Sequence, residues 1–132
     1  MTIVQRAGTV ALALLLSAPA MAAEGPGADQ VGTNCPPEAE VTASLVKYIT
    51  TAWWTPGSME TYSVTAIDGF AFGPIAYGRL QSPGTSYQTC PVRVEFTYAL
   101  HKKDGSTEVS PFGQGKIFSF SKNPFDEWVF TY

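Results

Sequence analysis

Side chains able to do chemistry are sparse in this chain, so their spacing matters more than their number. His101 is the single histidine, and any general-base role at neutral pH would fall on it. It stands beside Lys102 and Lys103, on the polar side of an alternating segment and just before Asp104-Gly105. That position reads as a solvated surface histidine. A nucleophile–histidine–acid arrangement needs three converging groups, and the scattered serines and acids nominate none. Asp126-Glu127 could bind Ca²⁺ or form an acid/base pair only by sharing a site. Neighbours on a strand point to opposite faces, so the dipeptide reads as turn and rim. Gly113-Gln114-Gly115 is a fragment of a phosphate-cradling loop without its strand–helix context, and no HExxH, EF-hand loop or P-loop occurs. No catalytic residue, cofactor or metal set is nominated, and the expectation leans away from an enzyme.

Cys35 and Cys90 are the only cysteines. They form no CxxC, and two thiols with one histidine make a poor metal set. In an oxidising compartment such a pair is expected as a disulfide. The loop it closes, residues 36–89, makes it worth roughly 4 kcal/mol by chain entropy. The first residues point to that compartment. Arg6 precedes the apolar run Val10 to Leu16, Ser17-Ala18-Pro19 breaks it, and Ala20-Met21-Ala22 supplies small residues for cleavage after Ala22. The run is too short for a permanent transmembrane helix. Residues 1–22 are therefore expected as a signal peptide, with an exported, periplasmic or secreted product and no stable membrane insertion after the leader is removed. Loss of Arg6 moves the net charge from −3 to −4. That weak acidity argues against a nucleic-acid binder, which would need a basic patch, and against docking on anionic lipid.

Trp53-Trp54 is the pair that a bland reading absorbs least easily. Projected on a helix, Trp53 flanks the apolar stripe and Trp54 falls about 100° further round, toward solvent. An exposed indole marks a contact surface, which makes Trp54 the candidate contact residue. The favoured reading of the helix end is nevertheless that it unwinds at Thr55-Pro56 and lets Trp54 fold back onto the sheet edge.

The elements that must position these residues follow from periodicity. Residues 23–34 carry little to bury and are expected as a flexible linker. Asn34-Cys35-Pro36-Pro37 reads as a helix start, with Glu38 and Glu40 suiting the first turn. Val41, Leu45, Tyr48, Ile49 and Ala52 then form one stripe, so the spacing predicts an amphipathic helix over 36–54, stopped by Thr55-Pro56-Gly57. Alternation predicts a strand over 59–67 with Tyr62, Val64 and Ala66 on one side. Asp68-Gly69 offers a turn or a bulge before Phe70 and Phe72. An extended stretch over 75–81 leads to Ser82-Pro83-Gly84-Thr85, the chemistry of a type II turn. The clearest strand alternates Cys90, Val92, Val94, Phe96, Tyr98 and Leu100 against polar neighbours. A hairpin at Lys103–Ser106 follows, then a kinked return through 107–121, and Trp128, Phe130 and Tyr132 alternate at the end.

The expected fold is α+β: one N-terminal amphipathic helix packed on a twisted antiparallel sheet of four to six strands, within a single domain over 35–132. A Cys35–Cys90 bridge would staple helix to sheet. This order of elements resembles the small cystatin-like and NTF2-like domains, a helix cradled by a bent antiparallel sheet. The cystatin inhibitory loop Gln-x-Val-x-Gly has no match here, so protease inhibition is not implied. One helix is also too few to close the deep cone of an NTF2-like enzyme. The expected function is a small exported non-catalytic domain acting by contact with a protein partner in the envelope or outside the cell. The alternative is a small-ligand carrier or enzyme with a pocket between helix and sheet.

Overall fold

The computed structural model describes residues 30–132. The expected signal peptide and residues 23–29 of the expected linker lie outside them. Gln30 to Asn34 form a turn whose Gln30 carbonyl accepts from the N–H groups of Thr33, Asn34 and Cys35.

Helix α1 spans Glu38–Tyr48, with Pro37 in extended geometry as its N-cap and Glu38 and Glu40 in its first turn. The missing N–H of proline costs nothing there. No side chain caps it, because proline at the N-cap has no side-chain acceptor, and Asn34 Oδ1 upstream accepts from Gln88 Nε2 at 3.0 Å. The helix is not N-terminal: it begins well inside the chain, behind the Gln30–Asn34 turn. It is also shorter than expected. After Tyr48 the backbone widens into a π-helical turn, Ile49–Trp53, closed by Trp54 N–H on the Ile49 carbonyl at 3.0 Å. That wider turn breaks the 3.6-residue period. Val41, Leu45 and Ile49 stay fully buried, whereas Ala52 is carried off the stripe and exposed. A second short helix, α2, spans Pro56–Thr61, and Thr55 Oγ1 caps it by accepting from Ser58 N–H. It occupies residues expected as the start of a strand.

Seven strands follow: β1 (Val64–Phe72), β2 (Ala76–Tyr77), β3 (Cys90–Arg93), β4 (Phe96–Lys102), β5 (Thr107–Phe112), β6 (Phe118–Lys122) and β7 (Trp128–Thr131). They form two antiparallel sheets, ordered β1-β4-β5 and β2-β3-β6-β7, in place of one sheet of four to six strands. The reason is a shared bend. Three extended segments cross it, at residues 73–75, 94–95 and 113–117, and each is cut into two strands. Gly73 N–H donates to the Glu95 carbonyl across it at 2.8 Å. At Gly113, φ is +91° and a Cβ would collide with the Val94 carbonyl, so glycine is required there. Alternation survives the bend, with Val92, Val94, Phe96 and Tyr98 all buried.

Strand β1 carries two register shifts against β4, and Gly69 at φ +67° sits in the second. Asp68-Gly69 is thus a bulge rather than a turn. The first shift leaves Ala66 exposed and turns Ile67 inward. The Cys35–Cys90 disulfide is present, with Cα atoms 5.3 Å apart and both cysteines fully buried. It ties the entry of α1 to β3, so Leu45 and Val94 share one core with Phe118 and Phe120. No polar or charged residue is buried among the described residues.

Candidate contact site

The groups able to do chemistry stay apart. His101 Nε2 lies 2.7 Å from Asp68 Oδ1, and Nδ1 lies 3.3 Å from Thr107 Oγ1. This line of side chains crosses β1, β4 and β5 on the outward face. The histidine side chain is 38% exposed and the aspartate 65%. None of the three lines the groove at the sheet bend or the one beside α1. Asp126 pairs with Lys122 at 3.0 Å, while Glu127 accepts from Asn123 Nδ2 at 3.0 Å. The two carboxylates therefore hold up a turn. Among the described residues, no group of three or more His, Cys, Asp or Glu could hold a metal ion. No helix there is long and apolar enough to cross a membrane.

Trp54 turns inward. Its backbone leaves helical geometry at φ −101°, ψ 84°, and Thr55 is extended, as the residue before a proline must be. The half-buried indole then lies against Tyr62 with ring centroids 5.9 Å apart. It donates its N–H to the hydroxyl of buried Tyr98 at 3.0 Å. Trp53, expected beside the stripe, stands 46% exposed instead. The π-helical turn exchanges the environments of the two neighbours.

Around Trp53 the ends of several elements meet. Tyr48 closes α1, Trp53 closes the π-helical turn, Phe112 closes β5, Phe118 opens β6, and Phe130 and Tyr132 come from β7 and the residue after it. Trp53 meets the Phe112 ring edge-on, with centroids 5.1 Å apart. Tyr132 meets Tyr48 at 5.6 Å and Phe118 at 5.6 Å, again edge-on. Lys116 Nζ stands 4.8 Å from the Tyr132 ring centroid and 5.6 Å from that of Phe112, within cation–π range. The outer layer is open: Tyr132 is 48% exposed, and Lys116 and Tyr48 are half-buried.

The hydroxyls of Tyr48 and Tyr132 are 2.5 Å apart. Burial of the Tyr132 phenol, then its hydrogen bond and charge repulsion with Tyr48, push its pKa up to about 12. At neutral pH the Tyr132 phenol is thus protonated, and Lys116 stands beside this aromatic face. Edge-to-face rings anchored by a buried Phe118 make a stiff surface that loses little side-chain freedom on contact. Sequence reasoning picked out the alternation of Trp128, Phe130 and Tyr132, and it placed Tyr48 on the helix stripe. It missed their meeting, because Tyr48 and Tyr132 are 84 residues apart.

Space between helix and sheet is filled by the apolar core. The grooves are on the outside, the larger being about 660 Å³ at the sheet bend and about 640 Å³ between α1 and the β6–β7 turn. Comparison with protein-family models, with curated proteins and with solved structures finds no match.

Proposed function

We propose that this chain is an exported, non-catalytic module that acts by contact with a protein partner, and that Trp53, Tyr132 and Lys116 form its contact face. The observation that carries this reading is the aromatic face itself. Two large rings are each about half exposed, backed by buried rings and flanked by one cation. Trp and Tyr dominate binding hot spots because they offer wide apolar area with few rotatable bonds. Trp53 takes the role that helical projection assigned to Trp54. Export is supported by the leader-like first 22 residues and by the disulfide. The order of helix and bent strands supports likeness to a cystatin-like scaffold, used here for contact rather than inhibition.

The test is site-specific photocrosslinking in cells that produce the full chain. A benzophenone side chain at position 53 should yield a discrete protein adduct, and the same group at exposed Arg79 should not. Adding Tyr132→Ala, with folding checked by its melting curve, should weaken capture tenfold or more, since a hot spot is worth about 2 kcal/mol or above. Equal adducts from both positions, or an adduct at 53 indifferent to Tyr132→Ala, would refute the proposal.

A further inference from the structure

Two features of the surface match each other. The first is a knob. The β6–β7 turn presents Phe125 at its tip, 82% exposed. Asn123 Oδ1 accepts from the N–H of Phe125 and of Glu127, each at 2.9 Å. Asn123 N–H donates to the Glu127 carbonyl at 2.9 Å, and Asp126 N–H to the Asn123 carbonyl at 3.0 Å. Asp126 adopts φ +64°, a left-handed conformation uncommon for a residue with a side chain. The turn's backbone is thus fixed, and it presents the phenyl ring to water beside Asp126, Glu127 and Lys122.

The second feature is the groove of about 660 Å³ across the sheet bend. Ala71, Pro74 and Pro111 give it apolar walls, and Arg93, Glu95 and Lys116 give it charge. Among the described residues neither Arg93 nor Lys116 has a carboxylate within salt-bridge distance, and Glu95 has no cation there. Glu127 also lacks a cation partner. The knob carries two carboxylates and a lysine beside an apolar ring. The groove carries two cations and a carboxylate beside apolar walls. Lys122 already pairs with Asp126 at 3.0 Å, so the knob is acidic overall and Glu127 is its free carboxylate, opposite in sign to the two cations of the groove.

A chain cannot fill its own groove this way. The groove's lining ends at Lys116, just before β6, whereas Phe125 follows the other end, so the five-residue strand Phe118–Lys122 separates them by roughly 16 Å. We propose that Phe125 of one copy seats in the bend groove of a second copy, with Asp126 and Glu127 facing Arg93 and Lys116. This contact is head-to-tail, so each copy keeps one knob and one groove, and assembly continues into a ring or an open chain. One ring in one groove is a small interface, and the affinity belongs in the weak, transient class. The groove shares Phe112 and Lys116 with the aromatic face, whereas Trp53 and Tyr132 do not line it, so the two contacts are told apart at Trp53.

Sedimentation of the natively processed protein, from about 10 μM to 1 mM, reads the association; weak contacts lie in that range. The wild type should associate with rising concentration, and Phe125→Ala and Arg93→Glu should each stay monomeric with unchanged melting curves. An equimolar mixture of the two variants should form dimers and stop there. The Phe125→Ala copy contributes the intact groove and the Arg93→Glu copy the intact knob. Trp53→Ala should associate like the wild type, which separates this contact from the proposed partner face. A wild type that stays monomeric at 1 mM, a Phe125→Ala variant that still associates, or a mixture that stays monomeric overturns the proposal.

Discussion

Trp54→Phe isolates one hydrogen bond and predicts its cost. The variant keeps an aromatic ring against Tyr62 but removes the indole N–H that reaches the Tyr98 hydroxyl at 3.0 Å. Tyr98 is only 1% exposed, so water cannot readily replace the lost donor. Leaving a buried hydroxyl without its partner costs about 1–3 kcal/mol. For a domain near 100 residues each kcal/mol shifts Tm by roughly 4–8 °C, so a fall of roughly 5–20 °C is expected. Tyr98→Phe should cost less from this contact, since the half-buried indole N–H left behind can turn to water. The double variant should be more stable than the sum of the single effects, with a coupling of about 0.5–3 kcal/mol. Urea unfolding followed by tryptophan fluorescence and circular dichroism measures all three variants. A Trp54→Phe protein that melts within about 2 °C of the wild type would refute the inward placement, as would additivity within about 0.5 kcal/mol.

Leu45→Ala should cost about 2–5 kcal/mol, because Leu45 is fully buried, whereas exposed Lys47→Ala should cost under about 0.5 in the same urea titration. Unreduced protein should resist alkylation at Cys35 and Cys90 even when unfolded, and Cys90→Ala should lower stability by up to about 4 kcal/mol through the lost loop closure. Tyr132 should be among the last phenols to ionise, near pH 12, followed by phenolate absorbance. Tyr77, raised by burial and then by Glu38, should also lag. Since the folded pKa of Tyr132 lies above its unfolded value near 10, its contribution to stability is whole below pH 10 and is lost as pH rises toward 12. Tyr132→Phe should remove that part of the alkaline destabilisation, and an unchanged alkaline profile would argue against the Tyr48–Tyr132 hydrogen bond.

The sequence by itself determined what depends on local period and on cysteine count. The stripe Val41, Leu45, Ile49 and the alternation Val92, Val94, Phe96, Tyr98 name the core because burial follows backbone periodicity, and both sets are buried. The Cys35–Cys90 pairing followed from having two cysteines and an exported reading. Tertiary structure decided the rest. The bend at Val94–Glu95 is invisible in the pattern because inward and outward positions keep alternating across it, yet it divides one sheet into two. The π-helical turn adds a wider hydrogen-bonded loop that no propensity announces, and together with the unwinding before Pro56, which the sequence did offer, it determines which of two adjacent tryptophans meets water. The aromatic face needs Tyr48 and Tyr132 in contact, and only the packing of β7 beside α1 supplies that. A side chain's type says what it could do; its neighbours across the fold decide whether it is core, rim or open surface.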